Sequence, residues 1–126
     1  MKNILLIDDD LGLLRTLREE LSSYESWNIL TAENGKQGAD IIATYPVDLV
    51  VTDLSMPVMG GYELVALLRE KWPTMPVIVM TADDSREAIQ RLRSLGVEQC
   101  ISKPYQLSEL VSAISGRLQE GRFQAA

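Results

Sequence analysis

Short apolar runs that alternate with longer segments of helical period constrain the fold of this chain more than any other feature. The runs are rich in β-branched residues and cover residues 3–7, 28–32, 49–52, 77–81 and 99–102. Near-continuous apolar sequence is typical of strands buried on both faces, as in a parallel sheet. The alternation therefore predicts an α/β fold of five βα units.

The segments between the runs carry apolar residues at helical spacing. The first stripe is Leu11, Leu14, Leu17 and Leu21, and the last is Leu107, Leu110, Val111, Ile114 and Leu118. We expect both stripes to pack on the sheet. Helix starts are predicted at three pairs with capping-box spacing, which are Asn34 with Gln37, Asp84 with Glu87 and, more weakly, Gln106 with Glu109.

Length and charge narrow the class of protein. A chain of 126 residues is the size of one domain, which we assign to residues 1–120. Residues 121–126 lack apolar spacing and are predicted to be a C-terminal tail or the start of a truncated linker. The net charge of −6 argues against binding of nucleic acid by this domain.

Several further classes are excluded by what the sequence lacks. No apolar run approaches the ~20 residues of a membrane span, and the N-terminal run is too short for a signal peptide, so we expect a cytoplasmic protein. Cys100 is the only cysteine, which excludes an internal disulfide. The chain has no histidine, which removes Ser-His-Asp and Cys-His nucleophiles, His-ligated zinc and a phosphohistidine donor.

Acidic and polar residues follow the predicted strands at the points where they end. Asp8, Asp9 and Asp10 follow the first strand, and Asp53 ends the third; Thr81 ends the fourth strand, and Lys103 follows the fifth. Ligands of open parallel sheets bind at the carboxyl ends of the strands, where the strand order reverses. With the flavodoxin-like order 2-1-3-4-5, Asp8, Asp9 and Asp53 converge at that point, flanked by Thr81 and Lys103. Clustered carboxylates repel, and an all-oxygen cluster suits a hard cation such as Mg²⁺.

These residues lie in blocks that resemble the receiver domains of bacterial response regulators. The blocks are ILLIDDD at 4–10, VVTDLSMPVMGG at 50–61, VIVMTA at 77–82 and SKPY at 102–105. Each block alone is weakly specific, but four in order at the right spacing are highly specific and cover essentially the whole chain. The resemblance implies a doubly wound (βα)5 fold and a phosphoryl-accepting switch, which is a regulatory domain with self-transfer and autodephosphorylation rather than a conventional enzyme.

The resemblance also implies roles for individual residues. Asp53 would be phosphorylated by a histidine kinase or a histidine phosphotransfer protein, and the signal would pass to a downstream output domain or protein. Asp9, Asp53 and the backbone carbonyl of Ser55 would ligate Mg²⁺, and Asp8 would help through water. Phosphoryl transfer itself requires positioning and charge neutralisation around an in-line carboxylate nucleophile, which fits this set of residues.

The remaining roles lie near the ends of the fourth and fifth strands. Lys103 would pair with the phosphoryl group, and the Thr81 hydroxyl would turn to bond it. Ser55 and Asp83 occupy positions that tune hydrolysis of the acyl phosphate. The resemblance also predicts that the Lys103-Pro104 peptide bond is cis, which the low cis penalty of an X-Pro bond permits.

One position departs from the family, and several residues have simpler explanations. The usual switch aromatic, three residues before the lysine, is here Cys100. Tyr105 is predicted to be structural, and Asp10 to cap the first helix. Two groups are explained without a ligand: Gly60 and Gly61 by turn conformation, and Arg86, Arg91 and Arg93 as a solvated helix face.

Two other function classes stay open. A haloacid-dehalogenase-like phosphatase also uses an aspartate nucleophile and Mg²⁺, and Asp8 and Asp10 have the Asp-x-Asp spacing of that family, but its cap and later acidic motif are missing. The other class is an interaction module that keeps the fold without phosphorylation. The complete set of site residues argues against it.

Overall fold

The computed structural model describes residues 1–24, 26–56 and 58–125, with side chains through residue 118 in the last helix. Over these residues strands and helices alternate as predicted, in the order β1 (Lys2–Ile7), α1 (Leu11–Leu21), β2 (Trp27–Ala32), α2 (Gly35–Thr44), β3 (Leu49–Asp53), α3 (Gly61–Lys71), β4 (Val77–Thr81), α4 (Arg86–Ser94), β5 (Gln99–Ser102) and α5 (Leu107–Ala125). The strands differ from the predicted runs by one residue at most, because β1 and β2 begin one residue earlier and β3 includes Asp53.

The strands form one parallel sheet in the order β2-β1-β3-β4-β5, as predicted. The doubly wound, flavodoxin-like α/β class is thereby confirmed. The order reverses at β1, so β1 and β3 are neighbours although β2 lies between them in sequence. Their register pairs Ile7 with Thr52 and so places the residues that follow both strands side by side.

Helices cover both faces of the sheet, because side chains alternate between the faces along each strand. Ile4 and Leu6 of β1 pack with residues of α1 and α5. Leu5 and Ile7 pack on the opposite face with residues of α2, α3 and α4. These residues are fully buried, which explains why residues 4–7 of β1 are apolar without a break.

The predicted apolar stripes mostly face the core. Leu14, Leu17 and Leu21 of α1 are buried, but Leu11 is 55% exposed, so its assignment to the core was wrong. Leu11 is the first residue of α1, and it lines a surface cavity with Thr31 of β2 and Gln37 of α2 instead of packing in the core. In α5, Leu110 and Ile114 are buried, and Leu107, Val111 and Leu118 pack against them partly exposed.

Two of the predicted helix caps are present. The Asn34 side chain accepts a hydrogen bond from the Gln37 N–H at 2.9 Å. At the start of α5, the Gln106 N–H donates to Glu109 Oε1 at 3.2 Å.

The predicted cap at Asp84 was wrong. Helix α4 begins one residue later than expected, and Ser85 caps it by accepting from the Ala88 N–H at 3.2 Å. The Asp83 carboxylate binds the Ser85 N–H at 3.0 Å and so fixes the turn that precedes the helix.

The backbone of α5 is helical through Ala125. The interpretation of residues 121–126 as a tail or linker stays a prediction, and Ala126 lies outside the described residues. None of the described helices combines the length and the apolar character that crossing a membrane requires.

Candidate functional site

Three carboxylates meet at the carboxyl edge of the sheet, where the strand order reverses. Asp8 and Asp9 follow β1, and Asp53 is the last residue of β3. One carboxylate oxygen from each lies within 4.8 Å of the others. The structure therefore brings together the cluster that the strand order predicted, and its oxygen donors are of the kind that Mg²⁺ prefers.

Asp8 is the most deeply buried member of the cluster, with 2% of its surface exposed. Its Oδ1 accepts the Asp10 N–H at 2.9 Å, whereas its buried Oδ2 accepts no hydrogen bond from any described residue. Burial raises the pKa of Asp8, and the charge of Asp53 raises it further against the lowering effect of the Asp10 N–H. A buried acceptor that lacks a hydrogen bond inside an acidic cluster is a place where a further cation fits.

Asp10, the third acidic residue after β1, is the N-cap of helix α1. Its side chain accepts the Leu13 N–H at 3.1 Å, which confirms the predicted cap. Carboxylates are favoured at helix N-termini, where the backbone N–H groups have no partner within the helix.

Lys103 supplies the positive charge of the site. Its Nζ lies 3.1 Å from Asp53 Oδ1 and 3.6 Å from Asp8 Oδ2. The Lys103 N–H donates to the Thr81 carbonyl at 2.8 Å, which continues the pairing of β4 with β5. The following peptide bond to Pro104 is cis, as predicted. Burial alone would lower the pKa of Lys103, but the hydrogen bond and charge of Asp53, together with the charge of Asp8, raise it, so the amine is held as a cation.

Thr81 lies at the site, but its hydroxyl is engaged elsewhere. The residue is 3% exposed, and its Oγ1 accepts the Asp83 N–H at 2.9 Å and donates to the Asp83 carbonyl at 3.3 Å. Thr81 and Asp83 line a cavity of about 640 Å³ with Asp53, Ser55 and Lys103. Every residue assigned to the site from the sequence thus lies in the carboxylate cluster or along this cavity.

The two glycines after the acidic strand, Gly60 and Gly61, are not explained by the predicted turn conformation. Neither has a positive φ, so a turn conformation that requires glycine is not the reason for them. A Cβ on Gly61 would instead lie 2.5 Å from the Asp53 carbonyl oxygen. The first turn of α3 therefore packs directly on the backbone of Asp53. The positive φ of this loop, +70°, falls on the exposed Val58.

Sequence reasoning missed Tyr62, which lines the same cavity from the start of α3. The guanidinium of Arg91 in α4 lies 3.9 Å from the centre of its ring. Arg91 is exposed, as predicted, yet it is more than a solvated charge. The helical spacing of Tyr62 made it resemble an ordinary core residue, and no local pattern links it to a residue of the next helix.

Cys100 and Tyr105 are both half-buried. Cys100 packs against the core on the α3 and α4 side of the sheet, where burial raises the pKa of its thiol, as does the charge of Asp84. Tyr105 packs against the core on the other side, which fits the predicted structural role. Burial also raises the pKa of its phenol.

Comparison with known proteins agrees with this geometry. The family model for the response regulator receiver domain matches residues 4–115. The transcriptional regulatory protein GlrR of Escherichia coli is 37% identical over 118 residues, which cover 94% of this chain and 26% of GlrR. The chain thus spans about a quarter of the length of that relative.

Solved structures show the same fold. A CheY-like receiver domain protein from Methanospirillum hungatei has a TM-score of 0.89 and 26% identity, and the match covers 98% of each chain. The response regulator TrrA from Thermotoga maritima, solved in complex with Mg²⁺-BeF, has a TM-score of 0.82 and 28% identity over 93% of this chain and 99% of its own. The chain belongs to the response regulator receiver domain family.

Proposed function

We propose that this chain is a phosphoryl-accepting switch of a two-component system, in which Asp53 takes a phosphoryl group from a histidine kinase or a histidine phosphotransfer protein. The observation that carries the proposal is the contact of Lys103 Nζ with Asp53 Oδ1, beside two further carboxylates. A carboxylate next to a fixed cation suits the transfer of an anionic group. Family membership supports a cytoplasmic location and a downstream output domain or protein as the receiver of the signal.

The residues present fit Mg²⁺. Asp8, Asp9 and Asp53, with the backbone carbonyl of Ser55, would hold the ion. Oδ2 of Asp8, which accepts no hydrogen bond and lies 3.6 Å from the Lys103 amine, supports this assignment. When bound, Mg²⁺ neutralises charge that develops on the phosphoryl oxygens. The related TrrA structure contains Mg²⁺-BeF, which supports the same ion here.

Asp53 acts as the nucleophile in the proposed transfer. A carboxylate nucleophile has no proton to lose, so no general base is needed. A carboxylate oxygen forms a bond to phosphorus while the bond from phosphorus to the donor's imidazole nitrogen breaks, and the imidazole leaves with that electron pair. Lys103 holds its charge near the transferred oxygens, since its Nζ already contacts the accepting carboxylate. Water later hydrolyses the acyl phosphate and resets the switch.

Thr81 reports that the phosphoryl group has arrived. In the described state its hydroxyl bonds the backbone of Asp83. On transfer, the hydroxyl would leave Asp83 and donate to a phosphoryl oxygen, and the loop before α4 would be released. Ser55 and Asp83, which line the same cavity, are placed to tune hydrolysis.

The experiment is labelling with a small phosphoramidate donor and Mg²⁺, read by intact mass and peptide mapping. Wild type should gain one phosphoryl group on Asp53 that is lost in alkali, Asp53→Ala should gain none, and Asp9→Ala or chelation of Mg²⁺ should slow the reaction. Label on Asp8 would instead indicate the phosphatase class, although Asp10 is occupied as a helix cap. If the wild type gains no label under conditions that label a control receiver, the interaction module that keeps the fold without phosphorylation is the remaining function class.

A further inference from the structure

We propose that Tyr62 and Arg91 form the link between the phosphoacceptor pocket and helix α4 in this chain, an inference that rests on the proposed function. The Arg91 guanidinium lies 3.9 Å from the centre of the Tyr62 ring, well inside the range of a cation–π contact. The two residues belong to different helices, α3 and α4. The contact therefore connects α3 to α4 directly.

The position of Tyr62 gives this contact a function. Tyr62 is the second residue of α3 and lines the cavity that also contains Asp53 and Lys103. The residue before it, Gly61, packs against the carbonyl oxygen of Asp53. One end of the link is thus fixed to the backbone of the phosphoacceptor and borders the space that the phosphoryl group would fill.

The other end of the link is free to respond. Arg91 is exposed, and apart from the Tyr62 ring its side chain makes no ion pair or hydrogen bond with the described residues. Helix α4 is anchored to the core by the buried residues Ala88 and Leu92. A change in the position of Arg91 is therefore transmitted to a helix whose buried residues are Ala88 and Leu92.

The residue of β5 that lies three before Lys103 offers no ring for such a link. It is Cys100, and its short side chain packs into the core beside α3 and α4. It cannot carry a ring between the pocket and the surface. Tyr62 packs against this same core and provides the ring from α3 instead.

Charge explains how the link would work. A phosphoryl group on Asp53 adds negative charge to the cavity that Tyr62 lines, and this charge attracts the Arg91 guanidinium that contacts the Tyr62 ring. The contact becomes stronger, and α4 is held more firmly against α3. The Thr81–Asp83 contact acts on the loop before α4, so it reaches the helix by a different route.

The test measures amide hydrogen exchange of α4, residues 86–94, with Mg²⁺ and with or without beryllium fluoride as a phosphoryl mimic. In wild type, beryllium fluoride should slow exchange in α4 by about twofold to fivefold, the factor that corresponds to an exposed cation–π contact. Arg91→Gln should abolish the slowing while Asp53 is still labelled by phosphoramidate. The matched control is Arg93→Gln, which makes the same change in charge on the same helix and should respond as wild type does.

Variants of Tyr62 distinguish the effect of the aromatic ring from the effect of an apolar side chain at this position. Tyr62→Phe keeps the ring face and should keep the response of α4, whereas Tyr62→Leu should lose it. The double variant Tyr62→Leu/Arg91→Gln should lose no more than either single variant, because both remove one contact.

The outcomes distinguish the two proposals. If wild type neither labels nor binds beryllium fluoride, the proposed function fails and the inference fails with it. If wild type labels on Asp53, but α4 responds equally in Arg91→Gln, or Arg93→Gln removes the response as well, only the link through Tyr62 and Arg91 is overturned.

Discussion

Lys103 Nζ lies 3.1 Å from Asp53 Oδ1, and this contact joins the end of β5 to the end of β3. The same amine lies 3.6 Å from Asp8 Oδ2. One partly exposed cation thus serves two buried carboxylates that come from neighbouring strands, so its loss affects both.

Replacement of Lys103 by Met should lower the free energy of unfolding by about 1–2 kcal/mol in metal-free buffer, because it leaves two buried carboxylates without their cation. Urea denaturation at neutral pH measures the difference. Lys71→Met, which removes an exposed lysine at the end of α3, is the control and should change stability by no more than about 0.5 kcal/mol. A Lys103→Met protein as stable as the control would show that the ion pairs contribute nothing to stability.

Asp8→Asn should stabilise the metal-free protein at neutral pH, by an amount that decreases as the pH falls. Burial and the charge of Asp53 raise the pKa of Asp8 above its ordinary value of 3.8. A raised carboxyl pKa contributes stability that is fully present below 3.8 and is lost as the pH rises through the folded-state pKa. Asn does not titrate. The free energy of unfolding of the Asn variant should therefore exceed that of wild type increasingly as the pH rises from 3.8 through the folded-state pKa of Asp8, and the difference should reach about 1 kcal/mol. Urea denaturation at a series of pH values in chelator measures it, with the exposed Asp40→Asn as control. A difference that does not depend on pH would contradict the assigned cause.

Mg²⁺ should raise the melting temperature of the wild-type protein. Binding to the folded state alone stabilises it by about 2.7 kcal/mol when the free ion is at 100 times its dissociation constant. Asp9→Ala and Asp53→Asn should each weaken this response because each removes a proposed ligand. Scanning calorimetry with and without millimolar Mg²⁺, at matched ionic strength, checks it, and identical melting curves would count against a clustered-carboxylate metal site.

Val58→Asn should raise the free energy of unfolding by about 1 kcal/mol. Val58 has a φ of +70°, which a β-branched side chain adopts at a cost and which Asn tolerates. The side chain is 75% exposed, so few packing contacts are lost on substitution. Val58→Ala removes the branching alone. Its free energy of unfolding, measured by thermal or urea denaturation, should lie between those of wild type and Val58→Asn. No gain for Asn over Ala would show that the left-handed backbone is not the source of the effect.

The sequence was most informative where burial dictates residue type. The strands of the sheet need apolar side chains on both faces, so runs such as 77–81 marked them to within a residue. The site followed from these runs, because Asp8, Asp53, Thr81 and Lys103 all stand at strand ends that the sheet order places together.

The remaining features depend on distances between segments that are remote in sequence. Gly61 is needed because the backbone of Asp53 passes close to it. A pair of glycines in the sequence is equally typical of a turn, so the sequence alone does not distinguish the two reasons. The contact between Tyr62 and Arg91 depends on how α3 and α4 pack, which helical spacing does not specify. The cap of α4 shifted from Asp84 to Ser85 because both residue types are good caps and only the course of the loop selects one.

The long sequence separation of Lys103 from Asp8 and Asp53 determines the order in which the residues of the site are synthesised. The contact with Asp53 spans 50 residues of sequence, and β5 is the last strand of this sheet to be synthesised. The carboxylates of β1 and β3 are therefore synthesised well before the cation that they share. Domains acquire their N-terminal parts first during synthesis, and contacts between distant residues form slowly. Completion of the acidic site is thus tied to the addition of the final strand, and a nascent chain that stops short of β5 carries the carboxylates without their lysine.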